Sequence, residues 1–168
     1  MKISMIAAMA RNRVIGTGTG GIPWHLPRDA YHFRTYTAGK FMLLGRTTFE
    51  EMDGWFTTQT PIVLTRNTDY KPPLGFVADT VERARDIALE HGADELVISG
   101  GASVYRAGLP FADQLVLTFV DEDVMGGVHF PDYEAAAEWE TVSEMRLEAD
   151  DENAYAMTFV ILRRKENS

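Results

Sequence analysis

The chain has 168 residues, 45% of them hydrophobic and 24% charged, which is the composition of an ordinary globular protein. This length predicts one domain that buries roughly 70% of the surface exposed by its unfolded chain. The formal net charge of −9 at pH 7 argues against nucleic acid or an anionic membrane as a partner, because both require basic surfaces.

The chain contains no cysteine, which excludes disulfide bonds, a thiol nucleophile and zinc sites built on thiolates. None of the four histidines lies at a spacing typical of metal ligands, so no metal site is expected. The N-terminal apolar run is interrupted by Arg11 and Arg13, and it is unlike a signal peptide or a membrane span. We therefore expect a cytoplasmic protein, with a monomer as the simplest assembly.

A short buried strand and a glycine-rich loop begin the chain. Residues 2–9 are apolar and contain no breaking residue, so they predict the strand. Residues 16–24 contain four glycines in six positions before a proline, which predicts a surface loop able to change shape. A plain flexible loop and a mobile lid beside a site are both compatible with this composition.

The same loop contains the pattern GxGxxG at Gly16, Gly18 and Gly21. In a dinucleotide-binding βαβ unit these glycines end a strand and open a helix directly, with an acidic residue about 20 positions further on. Here Pro23 and Pro27 intervene, and the position for the acidic residue falls within the apolar segment FMLLG. The match therefore does not indicate a βαβ dinucleotide site.

The segment PWHLPRD predicts the start of a helix near Leu26 or Pro27, because a proline in the first helical turn needs no amide donor. At helical spacing Leu26, Ala30 and Phe33 form an apolar stripe, and Asp29 lies on or beside it. A carboxylate among apolar side chains is costly to desolvate, and desolvation raises its pKa. Asp29 is thus a candidate for chemistry, although an acid in a first turn can also serve only the free amides and the helix dipole.

Residues 40–44 predict the next strand, and the segment GRTTFEEM predicts a helix directly after it. Thr47 and Glu50 have the spacing of a capping box, which places the helix start at Thr47. Arg46 and Thr48 flank the free amides of this start. The arrangement suits a phosphate group, although an ordinary cap needs no ligand.

Residues 61–67 predict a strand that ends in Arg66, and residues 75–78 predict a shorter one. Residues 80–91 then predict a helix with Thr80 as its N-cap and Gly92 as its C-terminal stop. The inward-facing positions of this helix are Val81, Ala84, Ile87 and Ala88.

The segment ELVISGGASVY predicts a buried strand, a turn at Gly100 and Gly101, and a helix. Paired glycines at such a turn let the backbone approach a pyrophosphate, but tight turns also use them for packing alone. Residues 115–120 predict one more core strand. Residues 140–163 predict a terminal hairpin around a polar turn at 150–153.

Strands that alternate with helices predict an α/β fold with a mostly parallel sheet, to which the hairpin adds an antiparallel edge. Ligands bind at the carboxyl ends of the strands in such sheets. Arg46, Arg66 and Gly100 are therefore expected on one rim.

Seven stretches of the chain, taken in order, resemble dihydrofolate reductase of the bacterial chromosomal type. They are IAAMARNRVIG, PWHLPRD, GRTTFEEM, PIVLTRN, SGGASVY, LTFVD and GGVHFPDY. The resemblance implies a single domain over residues 1–168, with a central, mostly parallel eight-stranded sheet, a C-terminal antiparallel hairpin and about four flanking helices. It also implies NADPH-dependent reduction of 7,8-dihydrofolate to 5,6,7,8-tetrahydrofolate, by hydride transfer to pterin C6 and protonation at N5.

On the substrate side, the resemblance implies that Asp29 holds the 2-amino group and N3 side of the pterin and favours protonation at N5. Phe33 would pack on the pterin or benzoyl ring, Thr118 would link Asp29 to the ring, and Trp24 would hold an ordered water. The implied catalytic residues are Asp29, Trp24, Thr118 and Tyr105. The implied substrate-binding residues are Ile6 and Ser99, through their carbonyls, and Ala7, Asp29, Ala30, Phe33, Met52 and Thr118.

On the cofactor side, the resemblance implies that Arg46 and Thr48 contact phosphate and that Arg66 binds the adenosine 2′-phosphate, which favours NADPH over NADH. The glycine-rich loop matches the family's lid, with Ile22 over the nicotinamide, and the loop at Gly126 is its partner. The implied cofactor-binding residues are Ala8, Ile15, Gly16, Ile22, Gly45, Arg46, Thr47, Thr48, Leu64, Thr65, Arg66, Ser99, Gly100, Gly101, Ala102, Ser103, Val104 and Tyr105.

Three positions depart from the family pattern. Gln59 lies where the family usually has an arginine that binds the substrate's glutamate carboxylate, so that contact is weakened or transferred to Arg28 or Arg34. Ser103 lies where some relatives have another arginine, and Gly127 lies where many bacterial members have an aspartate that stabilises the closed lid. These departures predict an altered lid equilibrium and a weaker dependence on the glutamate tail.

Two alternatives are compatible with the sequence. A same-fold NADPH reductase of another heterocycle, such as the pyrimidinone of riboflavin synthesis, is compatible with Gln59. A non-catalytic nucleotide-binding module is compatible with Asp29 as a helix-start residue, but it would retain a costly unpaired carboxylate.

Overall fold

A computed structural model describes residues 1–16, 26–67 and 69–166 of the chain. Within these residues, eight strands form one sheet that is parallel over its first six strands and antiparallel at its last two. Across the sheet the strands are β5 (Phe76–Ala78), β4 (Thr60–Leu64), β3 (Phe41–Gly45), β6 (Glu95–Ile98), β1 (Lys2–Met9), β7 (Gln114–Val120), β10 (Met157–Arg164) and β9 (Trp139–Leu147). The α/β class and the antiparallel C-terminal edge predicted from the sequence are confirmed.

Five α-helices accompany the sheet in the described part of the chain. They are α1 (Pro27–Thr37), α2 (Arg46–Glu51), α3 (Val81–Glu90), α4 (Ala102–Gly108) and α5 (Tyr133–Ala136). The first four correspond to the predicted helices. The sequence analysis does not predict α5, a single short turn whose N-cap is the side chain of Asp132.

Consecutive residues of a strand point to opposite faces of the sheet, and the central strands are buried on both faces. Leu43 of β3 packs with residues of α3 and α4 on one face. Its neighbours Met42 and Leu44 pack on the other face with Phe33 of α1 and Phe49 of α2. The continuous apolar runs of the sequence reflect this burial on two sides.

The predicted capping box at Thr47 is wrong. The N-cap of α2 is Gly45, no side chain caps the helix, and Thr47 is exposed. Glu50 instead accepts a hydrogen bond from Arg46 Nε at 2.8 Å, because the two side chains are neighbours at i,i+4 spacing. In addition, β4 ends at Leu64, so Arg66 lies beyond the strand rather than at its last position.

A separate antiparallel pair joins β2 (Val14–Gly16) to β8 (Val128–His129). Arg13 reinforces the pair, since its Nη1 donates to the carbonyl of Phe130 at 2.7 Å. Local sequence does not predict the pairing, because its strands are short and far apart in the chain. It places the segment after Gly127 beside the strand that precedes residues 17–25.

A polar network attaches the C-terminal half of α1 to the starts of β1, β6 and β7. Tyr36 OH and Ser4 Oγ donate to Glu95 Oε2 at 2.5 and 2.7 Å, and Lys40 Nζ lies 3.1 Å from Glu95 Oε1. Gln114 Nε2 donates to Tyr36 OH at 2.9 Å. Burial by itself would raise the pKa of Glu95, but these hydrogen bonds hold that pKa below its ordinary value. The satisfied network fixes where α1 lies on the sheet.

Gly75, which precedes β5, is a position where the fold requires glycine. Its φ is +83°, and an added Cβ would lie 2.1 Å from the carbonyl oxygen of Pro61. We expect Gly75→Ala to lower the free energy of unfolding by about 3 kcal/mol or more, because left-handed strain is combined with a backbone clash. Urea unfolding followed by circular dichroism measures this loss.

Gly54→Ala is the matched control. Gly54 has φ +79°, but no atom lies within 4 Å of an added Cβ. This variant carries the strain alone, which costs about 1–2 kcal/mol. Equal losses in the two variants would contradict a role for the contact with Pro61.

Candidate active site

Asp29 lies in the first turn of α1, and its carboxyl group is within hydrogen-bonding reach of the Thr118 side chain on β7. The carboxyl group is partly buried, and this desolvation raises its pKa above the ordinary 3.8, while the hydrogen bond with Thr118 opposes the rise. No ion pair to Asp29 is formed by the residues that the structure describes. Among these residues the acid therefore has a neutral partner and no cationic one.

The predicted apolar stripe of α1 is only partly correct. The helix starts at Pro27 as expected, and Leu26 is buried, but Ala30 is exposed. Leu26 precedes the helix, with φ −133° and ψ 94°, so helical spacing counted from it identifies the wrong face. The inward face instead follows Asp29, Phe33 and the fully buried Thr37, which are spaced four residues apart.

Phe33 forms an apolar wall one turn after Asp29. Its ring lies 5.2 Å from the ring of Trp55 and packs against the cluster that contains Ile6 of β1. Phe33 also packs, as does Met52 at the end of α2, against the cluster that contains Phe49. Three predicted substrate-side residues are thus gathered on the α1 face of the sheet. Ala7 packs in the cluster on the opposite face.

Tyr105 of α4 connects the site to the central strand. Its hydroxyl donates to the carbonyl of Ile6 at 2.7 Å and is buried. Burial raises the pKa of Tyr105, and the negative charge of Asp29 adds to the rise, so the hydroxyl remains a donor.

Two further predicted residues lie on the central strands or directly after them. Thr118 of β7 pairs with Ala8 of β1 in the parallel ladder between these strands. Ser99, at the end of β6, is also buried and donates through Oγ to the carbonyl of Val97.

Three glycines bring the starts of α2 and α4 together. The amide of Gly45 donates to the carbonyl of Gly100 at 2.8 Å, which joins the ends of β3 and β6. An added Cβ would lie 3.2 Å from Val104 at Gly45 and 3.3 Å from Thr48 at Gly101. Neither helix has a side-chain cap, so its first-turn amides are not occupied by a capping side chain. Closely approaching backbone with available amides suits the diphosphate of a dinucleotide.

Two arginines follow the carboxyl ends of neighbouring strands, Arg46 after β3 and Arg66 after β4. Gly100 follows β6, the next strand across, so the predicted rim is confirmed. Arg46 is bound to Glu50 and lies 4.1 Å from the centre of the Tyr70 ring. Arg66 is exposed and forms no ion pair with another described residue, so it is the more available cation.

The remaining predicted cofactor-side residues lie at the ends of β1, β2 and β4 and in the first turns of α2 and α4. They are Ala8, Ile15, Gly16, Leu64, Thr65, Thr47, Ala102 and Ser103. Trp24 and Ile22, with Gly18 and Gly21 of the GxGxxG pattern, lie outside the described residues. The predicted loop at 16–24 is therefore described only at Gly16, which is the last residue of β2.

Gln59 is held inside the protein. It is 4% exposed, its Oε1 accepts from the amide of Thr57 at 3.0 Å, and its Nε2 donates to Thr37 Oγ1 at 3.4 Å. These bonds link the segment before β4 to the C-terminal end of α1. The Gln59 side chain therefore has a structural role in addition to any contact with a ligand.

Of the two arginines expected to replace a cation at Gln59, Arg34 is the nearer neighbour. Its Nη1 donates to Thr57 Oγ1 at 3.4 Å, and its Nη2 donates to the carbonyl of Trp55 at 3.0 Å. Arg28 instead binds Asp150 of the C-terminal hairpin.

Two neighbours of the site are not predicted from the sequence, Trp55 beside Phe33 and Asn153 beside Arg28. No local pattern identifies Asn153, because its hydrogen bond joins residues 125 positions apart.

Within the described residues, no helix is long and apolar enough to cross a bilayer. The same residues contain no group of three or more histidine, aspartate or glutamate side chains placed to hold a metal ion.

Nearly the whole chain is similar to proteins of one known family. The family model for dihydrofolate reductase matches residues 2–164. This chain belongs to the dihydrofolate reductase family. Dihydrofolate reductase type 3 of Salmonella typhimurium is 39% identical over 165 residues, covering 98% of this chain and 99% of that protein. Dihydrofolate reductase of Bacillus subtilis (strain 168) is 32% identical over 166 residues, covering 99% of this chain and 96% of that protein.

A solved structure of a dihydrofolate reductase is similar over nearly the whole chain. It is the Enterococcus faecalis enzyme complexed with NADP(H) and RAB-propyl, with a TM-score of 0.85 and 33% sequence identity. The alignment covers 98% of this chain and 97% of that chain. The fold is therefore that of dihydrofolate reductase, as the sequence predicts.

The raised pKa of Asp29 means that this carboxyl group opposes folding at neutral pH. Below pH 3.8 it is protonated in both states. As the pH rises from 3.8 towards the folded-state pKa, the unfolded state ionises first and stability falls. We expect Asp29→Asn to raise the free energy of unfolding at neutral pH, with the gain disappearing below pH 3.8. Urea unfolding at a series of pH values measures the difference.

Asp53→Asn, at an exposed aspartate, is the control and should leave the free energy of unfolding within about 0.5 kcal/mol of the parent. A loss of stability in Asp29→Asn at neutral pH would show that the folded state favours the ionised carboxylate.

Proposed function

We propose that this protein reduces 7,8-dihydrofolate to 5,6,7,8-tetrahydrofolate with NADPH, and that it acts as a monomer in the cytoplasm. The observation that carries the proposal is Asp29, a partly buried carboxyl group with a raised pKa in a chain that belongs to the dihydrofolate reductase family. The relatives from Salmonella typhimurium and Bacillus subtilis are dihydrofolate reductases that match this chain over nearly their whole length, which disfavours the alternative of a pyrimidinone reductase. A non-catalytic module would retain the destabilising carboxyl group without use.

The substrate side of the proposal rests on the partners available around Asp29. The carboxylate holds the 2-amino group and N3 side of the pterin through charge-assisted hydrogen bonds, and Thr118 restricts its orientation. Phe33 covers the ring from the α1 side. The carbonyl of Ile6 already accepts from Tyr105, but its second lone pair remains for a ligand N–H.

The proton is the part of the reaction for which Asp29 has suitable chemistry. A carboxyl group with a raised pKa is partly protonated closer to neutral pH than an ordinary aspartate, and so it favours protonation at N5. Ser99 and Tyr105 are both buried, which limits the access of water around them. No covalent step is required, since the protein positions the reactants and biases one proton.

The cofactor side is built from backbone and two arginines. NADPH supplies the hydride when it is bound. Gly45, Gly100 and Gly101 allow its diphosphate to approach the first turns of α2 and α4. Arg66 binds the 2′-phosphate, and Arg46, whose Nε is bound to Glu50, contacts a phosphate through its Nη donors.

The activity itself is tested by following NADPH oxidation with dihydrofolate in the purified protein. We expect turnover in the parent and a loss of at least about 100-fold in Asp29→Asn, because the carboxyl group both orients the pterin and biases its proton. Asp53→Asn should retain full activity. A diaminopyrimidine antifolate should compete with dihydrofolate, since its protonated ring pairs with Asp29.

The proposed reaction and the role of Asp29 in it can be contradicted independently. An inactive parent would contradict the proposed reaction. Full turnover in Asp29→Asn would leave the reaction in place and remove Asp29 from it.

Arg66 is expected to determine the preference for NADPH over NADH. Arg66→Gln should raise the KM for NADPH by about 10- to 100-fold, because a charge-assisted hydrogen bond to phosphate is lost. The KM for NADH, which has no 2′-phosphate, should change little. Steady-state kinetics with both cofactors measure the two values.

Arg83→Gln is a matched control, since Arg83 is an exposed arginine of α3 paired with Glu90 at 3.3 Å. Equal increases in the KM for both cofactors in Arg66→Gln would argue that Arg66 does not bind the 2′-phosphate.

A further inference from the structure

The helix that carries Asp29 begins without a cap from its own sequence. Leu26, the N-cap residue, forms no side-chain capping bond, and Pro27 has no amide hydrogen. The amide of Arg28 is therefore the first donor of α1 that needs an acceptor. It donates to Asn153 Oδ1 at 3.0 Å. A residue of the C-terminal hairpin thus does what a local Ser, Thr, Asp or Asn does at most helix starts.

Asn153 is held so that its oxygen faces the helix. It is 5% exposed, and both its backbone amide and its Nδ2 donate to Asp150 Oδ1, at 2.8 and 3.0 Å. Because Nδ2 is bound to a carboxylate, the side-chain amide cannot be reversed without losing both of its hydrogen bonds. The acceptor is therefore presented to Arg28 in one orientation.

The side chain of Arg28 closes the arrangement. Its Nη2 lies 2.6 Å from Asp150 Oδ2, and its Nη1 donates to the carbonyl of Glu148 at 3.1 Å. The hydrogen bonds from Asn153 hold the pKa of Asp150 below its ordinary value, and Arg28 adds to this effect. We call these three residues, Arg28, Asp150 and Asn153, the hairpin clamp. The ion pair is partly exposed and contributes little, so the partly buried bond from the Arg28 amide to Asn153 is the main constraint.

Asp29 directly follows Arg28, so a shift of the Arg28 amide moves the Asp29 carboxyl group with it. We propose that Asn153 is a positioning residue, which sets the first turn of α1 through the hairpin clamp and holds the Asp29 carboxyl group beside Thr118. The expected effect of Asn153 on turnover rests on the proposed function, whereas its expected effect on the position of Asp29 does not. A misplacement of about 1 Å in a reacting group can reduce turnover by about 100-fold.

Three variants test this role. Asn153→Ala removes the acceptor. The double variant Asp150→Asn/Asn153→Asp exchanges the two side chains and restores an acceptor for Arg28, with an amide-to-carboxylate bond within the turn. Arg146→Ala is the matched control, because it removes ion pairs of the same hairpin, to Asp121 at 2.7 Å and to Glu148 at 2.9 Å, and leaves the three side chains of the clamp in place.

The first measurement needs no activity. The Asp29 carboxyl group is titrated by ¹³C NMR in the parent and the three variants. Fraying of the first turn exposes the group to water, so we expect its pKa to fall towards 3.8 in Asn153→Ala. The exchanged double variant and Arg146→Ala should keep the value of the parent. Tyr105 of α4, whose pKa the charge of Asp29 raises, is unchanged in all of them.

The second measurement is steady-state turnover with dihydrofolate. We expect kcat/KM for dihydrofolate to fall about 10-fold or more in Asn153→Ala and to recover in the double variant, while Kd for NADPH stays constant. An Asp29 pKa in Asn153→Ala that equals that of the parent would overturn the inference, because a displaced carboxyl group loses either the burial that raises this pKa or the Thr118 bond that lowers it. So would a turnover loss that Arg146→Ala reproduces. An inactive parent would contradict the proposed function alone, because the NMR titration would still decide the role of Asn153.

Discussion

The position of α1 on the sheet is the constraint on which the site depends. This helix carries a carboxyl group into a partly apolar environment, and desolvation of that group opposes folding. The helix is held at both ends, by Tyr36 and Glu95 near its C-terminus and by Asn153 near its N-terminus. Favourable contacts elsewhere in the fold therefore offset the cost of desolvating Asp29, and the protein would be more stable without this carboxyl group.

The two halves of the site are built in different ways. The substrate side consists of side chains on α1 and β7, where Asp29, Phe33 and Thr118 are placed by helix and strand packing. The cofactor side consists mostly of backbone, where Gly45 and Gly100 let loops after neighbouring parallel strands touch. Side chains on rigid elements suit the orientation of a ring, and exposed amides suit phosphate oxygens.

The sequence predicted those elements whose signals are local. The helix α3 has its predicted N-cap, and its predicted inward residues are buried, because a capping threonine and a 3.6-residue period act within one segment. The start of α1 and the rim formed by Arg46, Arg66 and Gly100 follow from equally local patterns. One error lies where a neighbour competes, since Glu50 binds Arg46 instead of capping α2. The other lies where the pattern was counted from a residue outside the helix, since Leu26 is not helical and the stripe counted from it includes the exposed Ala30.

By itself, the sequence determined the α/β class, the family and the candidate acid, because apolar periodicity, prolines, glycines and ordered motifs are properties of short segments. Only the tertiary structure decided what surrounds that acid. Thr118 lowers the pKa that burial raises, Tyr105 occupies the carbonyl of Ile6, and Asn153 supplies the cap that PWHLPRD lacks. Each of these contacts joins residues about 90 or more positions apart, and no local pattern encodes a hydrogen bond that exists only after the sheet has assembled.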